Sequence, residues 1–370
     1  MTGINRRQLL QAFGGTLGLM ALPPVTFGGE SCPPGTLLSA CDDIKGNHFV
    51  AGIRPDGALA FCIPVPLRAH GSCVTPDRTR AVFFARRPGQ HLYVADLQQG
   101  RLVQTLESAP GRHFYGHGVI SADGQWLFAS EQRYESGEGI IGVYRLGATV
   151  VRETEFFTHA MDPHELRWLS DGETLVIANG GIRTHPSQQR EVPNPDTMTP
   201  ALTYVRVRDG ALIESIAPPH HQMSLHHLDV AANDQVVVGV QYQGALTDDI
   251  PLVGNHRRGQ SMQWWQADEL TQLRMRQYTA SVAVDAAATT ALVSCPRGNG
   301  IAAWDMQTGQ LLTMLDSVDA AGLDRSTHSG RWVGTNGRGE WMQIGRNGSH
   351  LTLEKRQQLP LRWDNHATLI

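Results

Sequence analysis

The feature that most constrains this chain is a repeat in which a histidine opens a short strand, a turn and a second strand. Residues 113–131, HFYGHGVISADGQWLFASE, carry the clearest copy, with Asp123 and Gly124 at the turn. Related strings begin at three other histidines and, in degenerate form, at a serine: His70, His164, His227 and Ser281. About 47 residues separate His70 from His117, and the same interval separates His117 from His164.

A period in the forties, built from short strands and turns, is typical of a β-propeller with one four-stranded blade per repeat. Residues 36–370 hold seven repeats of about 48 residues, so we predict an all-β, seven-bladed β-propeller. The first repeat supplies only three strands, at 36–41, 48–53 and 58–63. Residues 366–370 read as its missing innermost strand, so we expect this C-terminal strand to pair with the N-terminal strands and close the ring.

Residues 1–35 read as a targeting segment and a linker that precede a single propeller domain at 36–370. The string NRRQLL at 5–10 is a twin-arginine pattern, and the apolar run at 12–22 is shorter than the roughly 20 residues that a membrane-spanning helix needs. We therefore expect export to the periplasm by the twin-arginine route, with no transmembrane span. That route carries folded proteins, often already loaded with a cofactor.

Composition and short motifs narrow the function classes. The net charge of −4 gives no basic stripe for nucleic acid. None of the G-x-S-x-G, H-E-x-x-H or Gly-rich phosphate-loop motifs occurs, so hydrolase, zinc-peptidase and nucleotide-binding readings lack support. The five cysteines form no C-x-x-C pair, so a thiolate zinc or c-type haem site has no support. Cys62 and Cys73 lie on strands that should be neighbours, so we consider a disulfide between them.

The repeat position of the histidines predicts where they meet. The innermost strand of each blade lines the central channel, and all innermost strands begin on the same face. Five histidines should therefore surround one channel mouth: His70, His117, His164, His227 and His366. Residues just past the second strands should join them: Arg86, Glu131, Asn179, Gln241 and Arg297. Two insertions, 181–199 with Arg183 and His185, and 243–260, should roof this face.

Imidazoles at such a mouth can ligate a metal ion or, when protonated, bind an anion. We expect the channel to be too wide for all five to reach one ion, so two or three histidines with Glu131 or Glu165 should complete the shell. Alternatively, each histidine caps its strand by bonding to a neighbouring blade. His328 also falls at the repeat interval, but its offset from the next strand predicts a hairpin turn at the opposite end of the channel, so we exclude it.

Six strings carry a resemblance to a known family: GRHFYGHGVISADG, GIIGVYRL, DPHELRWLSDG, VIANGGIRTHP, HQMSLHHLDV and RWDNHATLI. They resemble the family called domain of unknown function 1513, and the resemblance covers nearly the whole chain after the targeting segment. It implies an exported seven-bladed propeller whose gene lies near those of imelysin-type proteins and a dihaem oxidase, and hence a role in iron acquisition. The family motifs map onto His113, His117, His164, Glu165, Asn179, Arg183, His185, His227 and His366. The chain departs from the family at 131–134, EQRY.

We therefore expect a periplasmic, iron-associated binding protein that holds a metal or a metal-bearing ligand such as haem at the histidine-lined mouth. Iron is the first expectation and copper the second, because Met161 and Met223 lie near histidines in the sequence. One alternative is a metal-dependent oxidoreductase. The other is a scaffold that docks an imelysin-type or dihaem-oxidase partner.

Overall fold

The computed structural model describes residues 32–188 and 191–370, so the predicted twin-arginine signal lies outside the described residues. Seven antiparallel sheets follow one another along the chain, which confirms the seven-bladed β-propeller. The first strands of successive blades contact one another around the ring and line its axis.

Blades 2 to 7 are four-stranded sheets whose strands follow chain order from the axis outward. Blade 2 comprises β4 (Ala69–Val74), β5 (Arg80–Ala85), β6 (His91–Asp96) and β7 (Arg101–Glu107). Blade 3 comprises β8 (Arg112–Ile120), β9 (Trp126–Arg133), β10 (Gly139–Leu146) and β11 (Val150–Phe157). Blade 4 comprises β12 (Pro163–Trp168), β13 (Thr174–Asn179), β14 (Ala201–Arg206) and β15 (Ala211–Ile216).

The second half of the ring repeats this arrangement. Blade 5 comprises β16 (Met223–Val230), β17 (Val236–Tyr242), β18 (Val253–His256) and β19 (Gln263–Trp265), followed by the helix α1 (Glu269–Met275). Blade 6 comprises β20 (Val282–Val284), β21 (Thr290–Cys295), β22 (Gly300–Asp305) and β23 (Leu311–Asp316). Blade 7 comprises β24 (Ala320–Arg325), β25 (Arg331–Asn336), β26 (Glu340–Asn347) and β27 (His350–Gln358). Within the described ranges, no helix is both long and apolar enough to cross a membrane.

Blade 1 closes the ring as the sequence predicts. It contains β1 (Leu37–Asp42), β2 (His48–Ile53) and β3 (Leu59–Val65), together with two short C-terminal strands, β28 (Arg362–Trp363) and β29 (Thr368–Leu369). Both C-terminal strands pair antiparallel with β1 and take the innermost place. Because β1 is paired on both sides, the ring has no open inner edge where the termini meet.

Burial follows strand position within a blade. Every residue of β17, VVVGVQY, is buried because a middle strand packs against both neighbouring blades, which explains its nearly continuous apolar sequence. The outermost strand β27, HLTLEKRQQ, buries one residue of nine and is correspondingly polar. Blades pack through large side chains, and the Trp265 and Trp304 rings stack with centroids 6.0 Å apart between blades 5 and 6.

All five cysteines carry free thiols, so the disulfide considered between Cys62 and Cys73 is not formed. Cys62 lies on β3, the outermost strand of blade 1, whereas Cys73 lies on β4, the innermost strand of blade 2. Residues that are close in sequence across a blade boundary thus lie at opposite edges of adjacent sheets, which is the reason that the expected proximity fails.

Candidate metal centre

Five histidines from five blades meet in the interior of the channel. His70, His117, His164, His227 and His366 are each at most 6% exposed. The His366 ring lies 4.4 Å from His70, 4.4 Å from His117 and 4.5 Å from His227 between ring centroids. The His164 ring lies 4.7 Å from His227. The sequence led us to expect rings spread around an open mouth, and the structure instead gathers them into one buried cluster, which we call the imidazole cluster.

Bulges in the innermost strands aim these side chains at the axis. In blade 2, Ala69 pairs with Ala85 and Ser72 with Phe83, so β4 carries one extra residue where His70 lies. The registers of the innermost strands of blades 3, 4 and 5 shift at the corresponding places. In blade 1, the gap between β28 and β29 contains His366. A bulge turns a side chain away from the regular alternation of a strand, and here it directs imidazoles inward.

Two glycines allow the strands to approach closely enough. A Cβ on Gly71 would lie 2.6 Å from the Gly116 carbonyl oxygen, and a Cβ on Gly116 would lie 2.6 Å from the His70 ring. Gly116 also has a φ of +96°, which a residue with a side chain rarely adopts. The channel is therefore narrower than we expected, which brings four imidazoles rather than two or three within reach of one ion.

The ligand atoms of the cluster form overlapping groups that can hold an ion. The ring nitrogens of His70, His117, His164 and His366 all lie within 4.8 Å of one another. So do the ligand atoms of His117, Glu165, His227 and His366. Glu165, which the sequence named as a completing ligand, is therefore part of the imidazole cluster.

Burial keeps four of the five imidazoles neutral. It lowers the pKa of His70 to about 4, against the opposing attraction of Asp364, and it lowers the pKa values of His117, His164 and His366 well below the ordinary range. Neutral imidazole carries the lone pair that a metal ion requires. A neutral ring does not attract an anion, so the anion-binding alternative loses its basis near neutral pH.

Glu165 provides the negative charge of the cluster. Burial would raise its pKa, but the Arg167 guanidinium is the strongest opposing influence, and the pKa of Glu165 is lowered to about 2. Arg167 reaches Glu165 at 2.5 Å, and the backbone N–H of Leu228 donates to the same carboxylate at 3.2 Å. The carboxylate is consequently ionised and fixed in orientation.

Asp364 is a buried partner that our sequence reasoning did not name. Its carboxylate lies 2.5 Å from His70 Nδ1 and accepts hydrogen bonds from Arg68 at 2.7 Å and Arg86 at 3.2 Å. An outer carboxylate on one ring nitrogen fixes the tautomer and leaves the other nitrogen as the ligand. The predicted site residue Arg86 thus touches the cluster through Asp364.

A second unnamed pair lies on the other side of the cluster. The His226 ring stacks on His164 with centroids 4.4 Å apart, and Asp162 lies 3.8 Å from His226 Nε2. Burial raises the pKa of Asp162 to about 7, and Arg87 opposes the shift from 3.4 Å. The signal was available: an aspartate stands two residues before a histidine in both DPH at 162–164 and DNH at 364–366.

Some predicted ligands lie inside the blades instead. Glu131 is fully buried in blade 3, where Tyr144 donates to it at 2.6 Å and Arg152 at 3.2 Å. Asn179 is buried in blade 4 and donates to the Ala201 carbonyl at 3.1 Å and the Thr203 hydroxyl at 2.9 Å. These partners belong to the same sheet as each residue, so neither side chain joins the imidazole cluster.

The remaining predicted residues divide between the cluster and the surface. Gln241 is buried, with its amide nitrogen 3.5 Å from His227 Nε2 and 3.1 Å from the Thr279 carbonyl oxygen, to which it donates. Arg183 is exposed and donates to the Glu135 carbonyl oxygen at 2.7 Å. His185 packs its ring against Tyr134 at 5.0 Å, and exposed Arg297 lies over the Tyr278 ring at 4.2 Å. The structure brings only Gln241 of these four to the imidazole cluster.

A cavity of about 1010 Å³ opens on the face where the first hairpin turns lie. Its lining includes Thr75, Pro76 and His328 at the turns, so His328 lies at the end of the channel that the sequence predicts. Arg167 also lines it and contacts Glu165, so one side chain connects the cavity with the imidazole cluster. We had expected the open pocket on the opposite face, beneath the two insertions.

Glu131 offers a test of its placement. Replacing it with glutamine should lower the free energy of unfolding by about 1–3 kcal/mol, because the Tyr144 hydroxyl and the partly exposed Arg152 lose a buried charged acceptor. Urea unfolding measures this loss, and elemental analysis should find the metal content of the variant equal to that of the wild-type protein. Loss of metal with unchanged stability would place Glu131 back among the ligands.

His113 gives a pH prediction. Burial lowers its pKa to about 4, while its Nδ1 faces the Phe114 carbonyl at 3.1 Å and its Nε2 faces Thr184 at 2.9 Å. Since the unfolded chain takes up this proton near pH 6.5, stability should fall as the pH drops from about 6.5 to about 4, by about 3 kcal/mol for this residue. Denaturation at several pH values should show a shallower decline in His113→Gln. Equal slopes for the two proteins would contradict the assignment.

Comparisons with known proteins agree with the fold. The model of the family described as "Protein of unknown function (DUF1513)" matches residues 63–370. No curated protein sequence matches the chain significantly. The fold resembles Kuenenia stuttgartiensis hydrazine synthase, with a TM-score of 0.63, 13% identity and coverage of 82% of this chain and 88% of that chain.

It also resembles a putative 6-phosphogluconolactonase from Bacteroides uniformis, with a TM-score of 0.62, 12% identity and coverage of 91% of this chain and 99% of that one. The Swd1 propeller domain from Myceliophteria thermophila gives a TM-score of 0.54 at 12% identity, covering 89% of this chain and 98% of that one. Likeness at this level of identity shows a shared fold, and the activity has to be argued from the site.

Proposed function

The chain belongs to the family described as protein of unknown function DUF1513, and we propose that it is an exported protein that binds a transition-metal ion in the imidazole cluster. One observation carries the proposal: five buried imidazoles from five blades and the Glu165 carboxylate converge in overlapping groups, and within each group the ligand atoms lie within 4.8 Å of one another. Export rests on the twin-arginine string at 5–10.

The alternative, in which each histidine caps its own strand, fits the contacts poorly. Within the described residues, no ring of the five hydrogen-bonds to the backbone. The ring nitrogens His117 Nε2, His164 Nδ1 and His366 Nε2 are buried without a protein hydrogen-bond partner among those residues. Each such group costs about 1–3 kcal/mol, and an ion that accepts the lone pairs would offset that cost.

The donor set narrows the choice of ion. Imidazole nitrogens with one carboxylate suit iron, copper, zinc and nickel. Iron remains our first assignment, from the resemblance to the family. Copper loses its thioether support, because Met223 is fully buried among core residues of the blades and Met161 packs beside Gly137. Rings only 4.4–4.7 Å apart leave room for an ion and none for a haem macrocycle.

Elemental analysis of the full-length exported protein tests this function. Protein from cells grown with added iron, copper and zinc should carry at least one tightly bound ion per chain. The double variant His117→Ala/His164→Ala should carry none, because it removes two of the four imidazoles of one ligand group. His328→Ala is the matched control, since this histidine lies at the cavity mouth outside the cluster and should retain the ion. Wild-type protein without metal after all three growths would overturn the proposal.

A metal-dependent oxidoreductase is the second candidate, and the large cavity favours it. The cavity adjoins the cluster at Arg167 and has space for a small substrate. Loaded protein should then show a reversible redox transition whose potential shifts when small carboxylic acids or phenols fill the cavity. A metal-loaded protein with no such transition would leave binding alone as the function.

A further inference from the structure

The imidazole cluster contains more ligands than one ion can use. With His226 it holds six buried imidazoles, in addition to Glu165. A transition-metal ion in a protein takes about four ligands when tetrahedral and about six when octahedral. Seven donors, all buried and in one place, therefore exceed the coordination shell of a single ion.

The overlapping ligand groups can be divided so that the six imidazoles form two sets with no residue in common. His70, His117 and His366 form the first triad, and their ligand atoms lie within 4.8 Å of one another. His164, His226 and His227 form the second triad, under the same limit. Three protein ligands with an open position are the usual complement of a reactive metal site, so each triad suffices for one ion.

Glu165 lies between the triads. Its Oε1 is 3.9 Å from His117 Nδ1 in the first triad, and its Oε2 is 3.3 Å from His227 Nδ1 in the second. Each oxygen of the carboxylate thus faces a different triad, which is the arrangement of a bridging ligand. The Arg167 guanidinium and the Leu228 N–H hold the carboxylate in this orientation.

A carboxylate also lies beside each triad. Asp364 lies 2.5 Å from His70 Nδ1 in the first triad, where such an outer carboxylate orients the imidazole and raises its basicity. Asp162 lies 3.8 Å from His226 Nε2 in the second triad, which is a charge contact beyond hydrogen-bond distance. Negative charge therefore lies beside both triads, and the hydrogen bond to an imidazole is made by Asp364.

We propose that the imidazole cluster is a dinuclear transition-metal centre in which each triad holds one ion and Glu165 bridges the two. This inference rests on the proposed metal-binding function. In known two-metal sites the ions lie about 3.5–4 Å apart and act together on one substrate. The neighbouring cavity reaches Arg167, whose guanidinium contacts the proposed bridging carboxylate.

Copper(II) is a suitable probe, because it binds imidazole strongly and is visible by electron paramagnetic resonance. The background protein should carry His220→Ala/His221→Ala, which removes an adjacent histidine pair outside the cluster whose rings lie 4.6 Å apart. Full-length protein loaded with Cu²⁺ during expression should bind two ions per chain. The number of Cu²⁺ spins detected per chain should fall well below two, because the bridging carboxylate couples the unpaired electrons of the two ions.

Two variants identify the second position and the bridge. His226→Ala changes the second triad alone, so it should reduce the copper content to one ion with a full spin count. Glu165→Gln keeps the size of the side chain and removes the bridging carboxylate, so a folded variant should bind two ions that count as two spins. The second variant keeps the test decisive if the first fails to fold.

The results separate this inference from the function on which it rests. A wild-type content of one ion per chain at saturation would overturn the dinuclear centre and leave metal binding intact. Two ions with wild-type coupling in both variants would also overturn it. No bound copper, iron or zinc would overturn the proposed function itself.

Discussion

Replacing Asp364 with asparagine should lower the free energy of unfolding by about 3–5 kcal/mol, the range found when one partner of a buried ion pair is removed. The carboxylate is fully buried and accepts hydrogen bonds from Arg68 and Arg86. Although burial would raise its pKa, Arg86, His70 and Arg68 hold that pKa well below the ordinary range, so Asp364 is charged in the folded protein. Its loss leaves the largely buried Arg86 guanidinium without this charged acceptor, whereas Arg68 keeps Asp42 at 3.3 Å.

The position of Asp364 adds a structural consequence. It lies between β28 and β29, the strands that close the ring, and its partners Arg68, His70 and Arg86 come from blade 2 or the segment before it. The ion network therefore joins the C-terminal strands to the next blade. We expect protease cleavage near 362–370 to accelerate in the variant, because closure of the ring weakens together with the network.

The matched control is Asp316→Asn. Asp316 also meets an arginine, Arg274, at 2.5 Å, but its side chain is 86% exposed. An exposed pair contributes at most about 1 kcal/mol, so this variant should unfold close to the wild-type denaturant concentration. Urea unfolding of both variants provides the comparison. Equal losses at the buried and exposed positions would show that the network does not hold the ring closed.

The ring could be predicted from the sequence because its signals are local and repeated. The interval from His70 to His117 to His164 sets the blade length, and the strand pattern within each interval sets the sheet. The C-terminal string beginning at His366 matched the missing strand of blade 1, and its pairing with β1 is confirmed. Closure could be predicted because blade 1 lacks its innermost strand in the N-terminal sequence, and the C-terminal string is the one predicted strand without a blade.

The depth of the imidazole cluster could not be predicted, because it depends on bulges and on contacts between blades. Nothing in the periodicity shows that β4 and β8 each carry extra residues beside Gly71 and Gly116. Those bulges decide whether the rings surround a mouth or meet at the axis. The same limit applies to His226, because a regular strand directs neighbouring residues to opposite faces, whereas the bulge in β16 lies at His226.

Glu131 shows the limit of reasoning from strand ends. The sequence predicts that the second strand of blade 3 stops before Glu131, but β9 continues to Arg133, and the Glu131 side chain is buried within the blade. Its partners Tyr144 and Arg152 come from the next two strands of the same sheet. A buried carboxylate near a predicted site can therefore be a packing element, and its hydrogen-bond partners decide which role it has.

Metal loading should raise the free energy of unfolding by about 4 kcal/mol when the free ion is present at about 1,000 times its dissociation constant. The ion binds the folded chain, in which five blades bring the imidazoles together, and the unfolded chain has no such assembled site. Stripping the ion with a chelator should therefore lower the midpoint of urea unfolding at neutral pH. Restoring the ion should recover it.

Two variants test whether the stabilisation by metal comes from the imidazole cluster. His117→Ala/His164→Ala should unfold at the same urea concentration with and without the ion, because its ligand groups are incomplete. His328→Ala should keep the full shift, since its histidine lies at the cavity mouth and not among the ligands. If the double variant keeps the shift, the ion that stabilises the protein binds elsewhere, and the buried rings owe their convergence to the packing of the blades alone.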